Sequence, residues 1–255
     1  MSNSLLDLSG RVALVTGASS GIGQAVAELL GSRGAKLGIH YHQGRERAEA
    51  TLSAVRAAGG EGVLLQANLA DPQSTLGVVD ELVGAFGRLD ILVNNAGDPL
   101  ERVAIEDCSL ELWNQVLATN LTGPFLVTKQ AVPHLRASGN GVVINNLSLS
   151  VQTGGANGAG PYAIAKGGLQ VMTRTLAREL APEIRVNSIM PGVIETPHHE
   201  RFTPPERMEQ YRTETPLGRN GTAGEVAAAV LMLVGEAGSF INGALVDING
   251  GRFLR

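Results

Sequence analysis

The chain has few of the residues that would staple a fold or hold a metal in it. One cysteine, Cys108, stands among 255 residues, which excludes an internal disulfide framework and a cysteine-rich zinc site. Lysine occurs only as Lys36, Lys129 and Lys166, and the net charge is −4, so no nucleic-acid or polyanion partner is expected. Aromatic residues are 4% of the chain. No apolar run reaches membrane-spanning length, and Ala227 to Val234 is too short. Met1 to Gly10 lacks the basic and long apolar regions of a signal peptide. A soluble, cytoplasmic protein with no membrane partner is the expectation.

What is abundant is glycine, 33 residues of it, in a chain that is 44% hydrophobic and rich in Ala, Val and Leu. That composition suits an α/β protein with tight turns. Arg11 to Thr16 reads as a buried strand that stops at glycine, followed by Gly17, Gly21 and Gly23 and then an apolar-periodic helix. Such a turn brings backbone N–H groups up to a pyrophosphate at a helix N-terminus, although its G-x-x-x-G-x-G spacing departs from G-x-G-x-x-G.

The strand–helix pattern then repeats. Lys36–Tyr41, Gly62–Gln66, Ile91–Asn94, Gly141–Asn145, Ile184–Met190 and Ala244–Asp247 read as strands. Between them, Arg45–Ala58, Pro72–Phe86, the Tyr162 segment and Ala223–Val234 read as helices, as does Leu110–Ala137 with a bend at Gly123-Pro124. This alternation predicts a single-domain α/β Rossmann fold over residues 1–255, a doubly wound parallel sheet of about seven strands with helices on both faces. The polar, proline-punctuated stretch 195–219 is expected to form a substrate lid.

Tyr162 and Lys166 are four apart in a helical segment, so both project from one face. A cation beside the phenol favours phenolate, and a desolvated site with a second cation, such as an oxidised nicotinamide, would bring a tyrosine toward neutral-pH proton transfer. Past strand two the sequence runs His40-Tyr41-His42-Gln43 and carries no carboxylate to hold the ribose hydroxyls of NAD. Arg45 and Arg47 follow at the next helix start, and a guanidinium fork suits a 2′-phosphate. NADP is therefore the expected cofactor, with NAD the second choice, Arg45 the main phosphate contact and His42 a weaker one.

The markers Thr16-Gly17-x-x-x-Gly21-x-Gly23, Asn94-Asn95-Ala96-Gly97, Asn120, Ser148, Tyr162-x-x-x-Lys166 and Pro191-Gly192 with Thr196 occur in this order over Leu8 to Gly251. In them the chain closely resembles the classical short-chain dehydrogenase/reductase family, with 3-oxoacyl-carrier-protein reductases and glucose-dehydrogenase-like enzymes among its members. The resemblance implies an NAD(P)-dependent oxidoreductase that interconverts a ketone and a secondary alcohol. Tyr162 would be the general acid/base, and Lys166 would bind the nicotinamide ribose and depress the Tyr162 pKa. Ser148 would polarise the carbonyl, and Asn120 would hold a water linking Lys166 to solvent.

Cofactor contacts are implied at Gly17, Ser19, Ser20, Gly21, Ile22, Gly23, Tyr41, His42, Arg45, Asn68, Leu69, Asn95, Ala96, Gly97, Tyr162, Lys166, Pro191, Gly192, Val193, Ile194 and Thr196, with Asn94 also lining the cleft. No metal is implied. The family is usually tetrameric, and Leu117, Leu121, Phe125 and Val132 suit apolar helix packing, so a homotetramer is expected.

Four departures from the family pattern stand out: Ser148 has Ser150 as a competitor, Asn68 replaces an acid, strand two lacks its acid, and Asn249-Gly250-Gly251 replaces Asp-Gly-Gly. The substrate is set by 98–106, 152–161 and 195–219. The scarcity of lysine favours free small carbonyl compounds over carrier-bound ones. His198 or His199 is expected at the substrate, while Arg201, Arg207, Arg212 and Arg219 read as a solvated face. With a broken Ser/Tyr/Lys/Asn set the alternative would be a non-catalytic NADP-binding regulator, but all four residues are present.

Overall fold

The computed structural model describes residues 3–155 and 157–254. Seven parallel strands form the central sheet: β1 (Val12–Val15), β2 (Lys36–Tyr41), β3 (Glu61–Gln66), β4 (Ile91–Asn94), β5 (Gly141–Asn146), β6 (Ile184–Pro191) and β9 (Leu245–Ile248). Two short strands, β7 (Ile194–Glu195) and β8 (Gly221–Thr222), pair separately. The sheet order is β3-β2-β1-β4-β5-β6-β9, so the direction of winding reverses between β1 and β4. At such a switch point the loops after the two strands part, and a crevice opens at their carboxyl ends.

The helices are α1 (Gly21–Ser32), α2 (Arg45–Ala57), α3 (Pro72–Thr75), α4 (Val78–Phe86), α5 (Leu110–Leu117), α6 (Gly123–Ala137), α7 (Ser150–Thr153), α8 (Gly160–Glu179), α9 (Pro197–Phe202), α10 (Pro205–Glu214) and α11 (Ala223–Val234). Strand alternation assigns the core. In β1, Ala13 and Val15 pack toward α1, α2 and α11, while Val12 and Leu14 pack toward α4 and α6, all four being fully buried. Burying a valine or leucine in this way stabilises the fold by about 1.5–3 kcal/mol each.

Two predicted helices are broken. Pro72–Phe86 divides into α3 and α4 at Leu76-Gly77, where glycine weakens the helical backbone. Leu110–Ala137 is interrupted by a π-helical stretch, Ala118–Thr122, immediately before the Gly123-Pro124 pair that predicted the bend. The segment 196–220 leaves the body after β7 and returns into β8, and the pairing of those two strands ties its ends together.

Candidate active site

At the switch point the β1–α1 turn is fixed by neutral groups from three strands. The Thr16 Oγ1 accepts from the N–H groups of Asn95 and Ala96 at 2.9 and 3.0 Å, and the Asn95 Nδ2 donates to the Thr16 carbonyl at 2.9 Å. Asn146 Nδ2 at the end of β5 donates in turn to Asn95 Oδ1 at 2.9 Å. His40, 1% exposed, accepts from the Gly17 N–H through Nδ1 at 3.1 Å and faces the Ala67 carbonyl through Nε2 at 3.1 Å. Only the neutral Nε2–H tautomer serves both contacts, and burial holds the ring's pKa down to about 4. Gly17 has φ +63°, and a Cβ there would lie 2.9 Å from the Ala96 Cα, so no larger residue fits.

The cleft next to this turn has a volume of about 850 Å³. The α1 N-terminus opens into it through Ser20, Gly21 and Ile22, and the Ser20 side chain caps none of the helix N–H groups. Uncapped N–H groups behind a close glycine approach are what a dinucleotide pyrophosphate requires, so the residues present fit such a group.

The cleft floor holds the predicted catalytic side chains. Lys166, 1% exposed, donates from Nζ to the Asn146 carbonyl at 2.8 Å, and this nitrogen lies 5.6 Å from the centroid of the Tyr162 ring. Burial lowers its pKa to about 8. The Tyr162 pKa is pushed up to about 12, first by burial and also by Asp98, against the lowering effects of Ser148 and Arg102. The chain's own residues therefore keep the phenol protonated. Of the two competing serines, Ser148 hydrogen-bonds the phenol, and Ser150 backs Ser148 through its hydroxyl and its N–H.

Asn120 is fully buried in the π-helical stretch and does not line the cleft. Its Nδ2 donates to the Asp98 and Val116 carbonyls at 2.8 and 2.9 Å, and its Oδ1 accepts from the Asp98 N–H at 3.1 Å. Its side chain is thus occupied in holding the Asp98 peptide rather than facing Lys166. Gly97 separates the two: a Cβ there would lie 2.7 Å from Asn120 Oδ1 and 2.9 Å from Lys166 Nζ.

Of the predicted cofactor contacts, Gly17, Ser19, Ser20, Gly21, Ile22, His42, Asn68, Leu69, Asn95, Ala96, Gly97, Tyr162, Lys166, Pro191, Gly192, Val193, Ile194 and Thr196 line the cleft. Gly23, Tyr41, Arg45 and Asn94 do not. Gly23 is a packing position, since a Cβ would fall on the Gly17 carbonyl and the Asn95 amide. Tyr41 is buried beside Gln66, and Asn94 is enclosed between Thr128 and Asn145. Arg45 turns outward to Glu49 at 2.8 Å, and the residue that lines the cleft is Arg47, folded back over Gly44. The two arginines differ by two helix positions, about 200° around the axis, so only one can face inward.

The substrate side contains residues that sequence reasoning missed or misplaced. Arg201 and Arg207 line the cleft, Arg201 while staying largely exposed, whereas Arg212 pairs with Glu209 and Arg219 with Glu225. Arg252, far along the chain, also lines it and stacks on Tyr211 at 4.5 Å. No sequence signal marks Arg252, which is placed by the return of β9. His199 lines the cleft and contacts Thr203 at 3.0 Å, while the side chain of His198 lies outside the described residues. Among the described residues no group of three or more His, Cys, Asp or Glu side chains comes together.

The family described as enoyl-(acyl carrier protein) reductase matches residues 17–252. The chain belongs to the short-chain dehydrogenase/reductase family. It is 35% identical over 243 residues to the 3-oxoacyl-(acyl-carrier-protein) reductase FabG of Staphylococcus aureus, covering 95% of this chain and 98% of that one. It is also 35% identical over 250 residues to glucose 1-dehydrogenase 2 of Bacillus subtilis, covering 97% and 96%. A short-chain dehydrogenase from Burkholderia cenocepacia, solved in complex with NADP, superposes with a TM-score of 0.88 at 34% identity, covering 96% of this chain and 98% of that one. As a member of this family the protein is an NAD(P)-dependent oxidoreductase acting on carbonyl and alcohol groups.

Proposed function

We propose that the protein reduces a free, small ketone to a secondary alcohol and prefers NADPH. The observation that carries this is the grouping of Tyr162, Ser148 and Lys166 in one cleft, with Lys166 Nζ 5.6 Å from the centroid of the Tyr162 ring. A phenol held in its acid form is ready to give its proton to a carbonyl oxygen as negative charge develops there. Ser148 donates a second hydrogen bond to the same oxygen and lowers the barrier as an oxyanion donor does. When bound, the reduced nicotinamide supplies the hydride, a two-electron donation to the carbonyl carbon. The C=O π bond is thereby replaced by one C–H and one O–H bond. Tyr162 regains a proton from solvent, with Lys166 stabilising the transient phenolate.

The glycine turn and the α1 N-terminus would hold the pyrophosphate, and Asn68 and Leu69 would border the adenine. The NADP preference rests on the missing carboxylate after β2, on Arg47 in the cleft, and on the likeness to the NADP-bound relative. Residues 195–219, tethered at both ends by β7 and β8, serve as the lid. A cytoplasmic homotetramer is the reading for the assembly. It is supported by the single cysteine and by the exposed apolar side chains of Phe125 on α6 and Ile164 and Val171 on α8. Cofactor oxidation across a panel of ketones, aldehydes, sugars and β-ketoacyl thioesters tests the reading. NADPH with a free ketone should give the highest kcat/KM; a carrier-bound thioester that surpasses every free ketone would overturn the substrate assignment.

A further inference from the structure

The cleft is far more positive than the chain that forms it. In a protein of net charge −4, the cleft is lined by Arg47, Arg102, Lys166, Arg201, Arg207 and Arg252 against one carboxylate, Asp98. Three of these six charges are bonded or paired within the fold. Lys166 is bonded to Asn146, Arg201 pairs with Asp98 at 2.9 Å, and Arg252 pairs with Glu214 at 2.6 Å. Arg47 is folded back over Gly44. Arg207 makes no ion pair among the described residues and stacks on the Tyr211 ring at 4.6 Å.

Arg102 has neither an ion pair nor a hydrogen bond among the described residues, and its Nε is buried without an acceptor. Its backbone position is closely determined. The Val103 N–H donates to the Gly158 carbonyl at 3.0 Å, and a Cβ on Gly158 would lie 2.6 Å from the Val103 nitrogen. The loop after β4 and the glycine-rich loop before α8 are thus packed backbone to backbone, and Arg102 leaves their junction into the cleft that Tyr162 also lines. Its charge acts on the phenol in the direction of ionisation, as that of a close neighbour does. A buried guanidinium N–H with no acceptor is costly unless a ligand supplies one.

We infer that Arg102 is the specificity-determining residue for a substrate that carries a carboxylate, an oxo acid reduced to the corresponding hydroxy acid. Arg102 takes the carboxylate through its planar fork while the ketone oxygen meets Tyr162 and Ser148. Arg207, whose Nε is also buried without an acceptor, adds a second cation to the same side of the cleft. The inference rests on the oxidoreductase reading above and names the substrate class that the reading leaves open.

The test compares pyruvate, acetoacetate and levulinate with their methyl esters, in wild type and in Arg102→Gln. At least one acid should exceed its ester in wild-type kcat/KM. Arg102→Gln should lose about 10- to 100-fold more on that acid than on the ester. Arg102→Lys should restore part of the loss. Thermal unfolding of the NADPH-loaded protein supplies a readout without turnover, because butyrate should raise Tm more than butyramide does in wild type and not in Arg102→Gln. Reduction of ketones with esters equal to acids, or an equal loss on both in Arg102→Gln, overturns the inference and leaves the oxidoreductase reading standing. Butyrate stabilisation that depends on Arg102, without reduction of any carbonyl compound, upholds the anion site and overturns the ketone-reduction reading.

Discussion

The two halves of the cleft are built from opposite materials. On the cofactor side the side chains nearest the glycine turn are neutral amides, a hydroxyl and an uncharged imidazole, each bonded to another part of the protein. On the substrate side they are guanidiniums from three separate stretches, the loop after β4, the 195–219 segment and the C-terminal end, and two of these leave a buried Nε without an acceptor. A network satisfied within the fold in all but the buried Asn146 Oδ1 makes little polar demand of a ligand through its side chains. It presents backbone N–H groups in a fixed arrangement, which suits a constant cofactor. Unmet side-chain donors do the reverse and select what enters.

The boundary between the halves is Tyr162 and Ser148, and the largest expected effects lie there. Tyr162→Phe keeps the ring and removes the proton, so turnover should fall by at least ~10²-fold while NADPH affinity stays nearly unchanged. Steady-state kinetics and cofactor titration measure both, and retained turnover would remove Tyr162 from the mechanism. Ser148→Ala should cost about 10²-fold in kcat, the scale of losing one oxyanion donor. Ser150→Ala should cost less, because Ser150 acts only by backing Ser148. The reverse order would move the role to Ser150.

The neutrality of the cofactor half can be broken with acid. His40 stays uncharged in the folded protein down to about pH 4, whereas in the unfolded chain it takes up a proton near its ordinary 6.5. The unfolded state therefore binds more protons between those values. The stabilising contribution is complete above pH 6.5 and is lost as pH falls toward 4, by roughly 2 kcal/mol between pH 7 and pH 5. Urea unfolding at the two pH values measures it, and His40→Gln should show a smaller drop. An identical drop in both proteins would show that His40 does not carry the effect.

The smallest effect separates two neighbouring arginines. Arg47→Ala should reduce the preference for NADPH over NADH by about 10-fold, within the range of one charge-assisted contact. Arg45→Ala, which removes a residue paired outward with Glu49, should leave the preference unchanged. A shift with Arg45→Ala alone would reverse the assignment.

Much of this was legible from spacing. The strand segments, the glycine turn and the Tyr162–Lys166 pair depend on local periodicity, and the structure has them within about one residue of the predicted ends. Less legible was how far each side chain would be satisfied by others. Nothing local announces that Asn120 is spent on the Asp98 peptide, that Asn94 is sealed between Thr128 and Asn145, or that Lys166 is directed to the Asn146 carbonyl. An i, i+4 spacing places a lysine on the same helix face as Tyr162, and burial of the phenol, which pushes its pKa up, is not announced by that spacing.

The sequence by itself determined the α/β alternation, the single domain and the family, because each is encoded in residue type at short, fixed intervals. Only the tertiary structure decided which arginines face the ligand and which residues remain unsatisfied. Arg45 and Arg47 are equivalent as letters and are separated by the phase of one helix. Arg102, Arg207 and Arg252 are about 100 and 45 residues apart in the chain and share a cleft only because parallel strands bring all their carboxyl ends to one edge of the sheet.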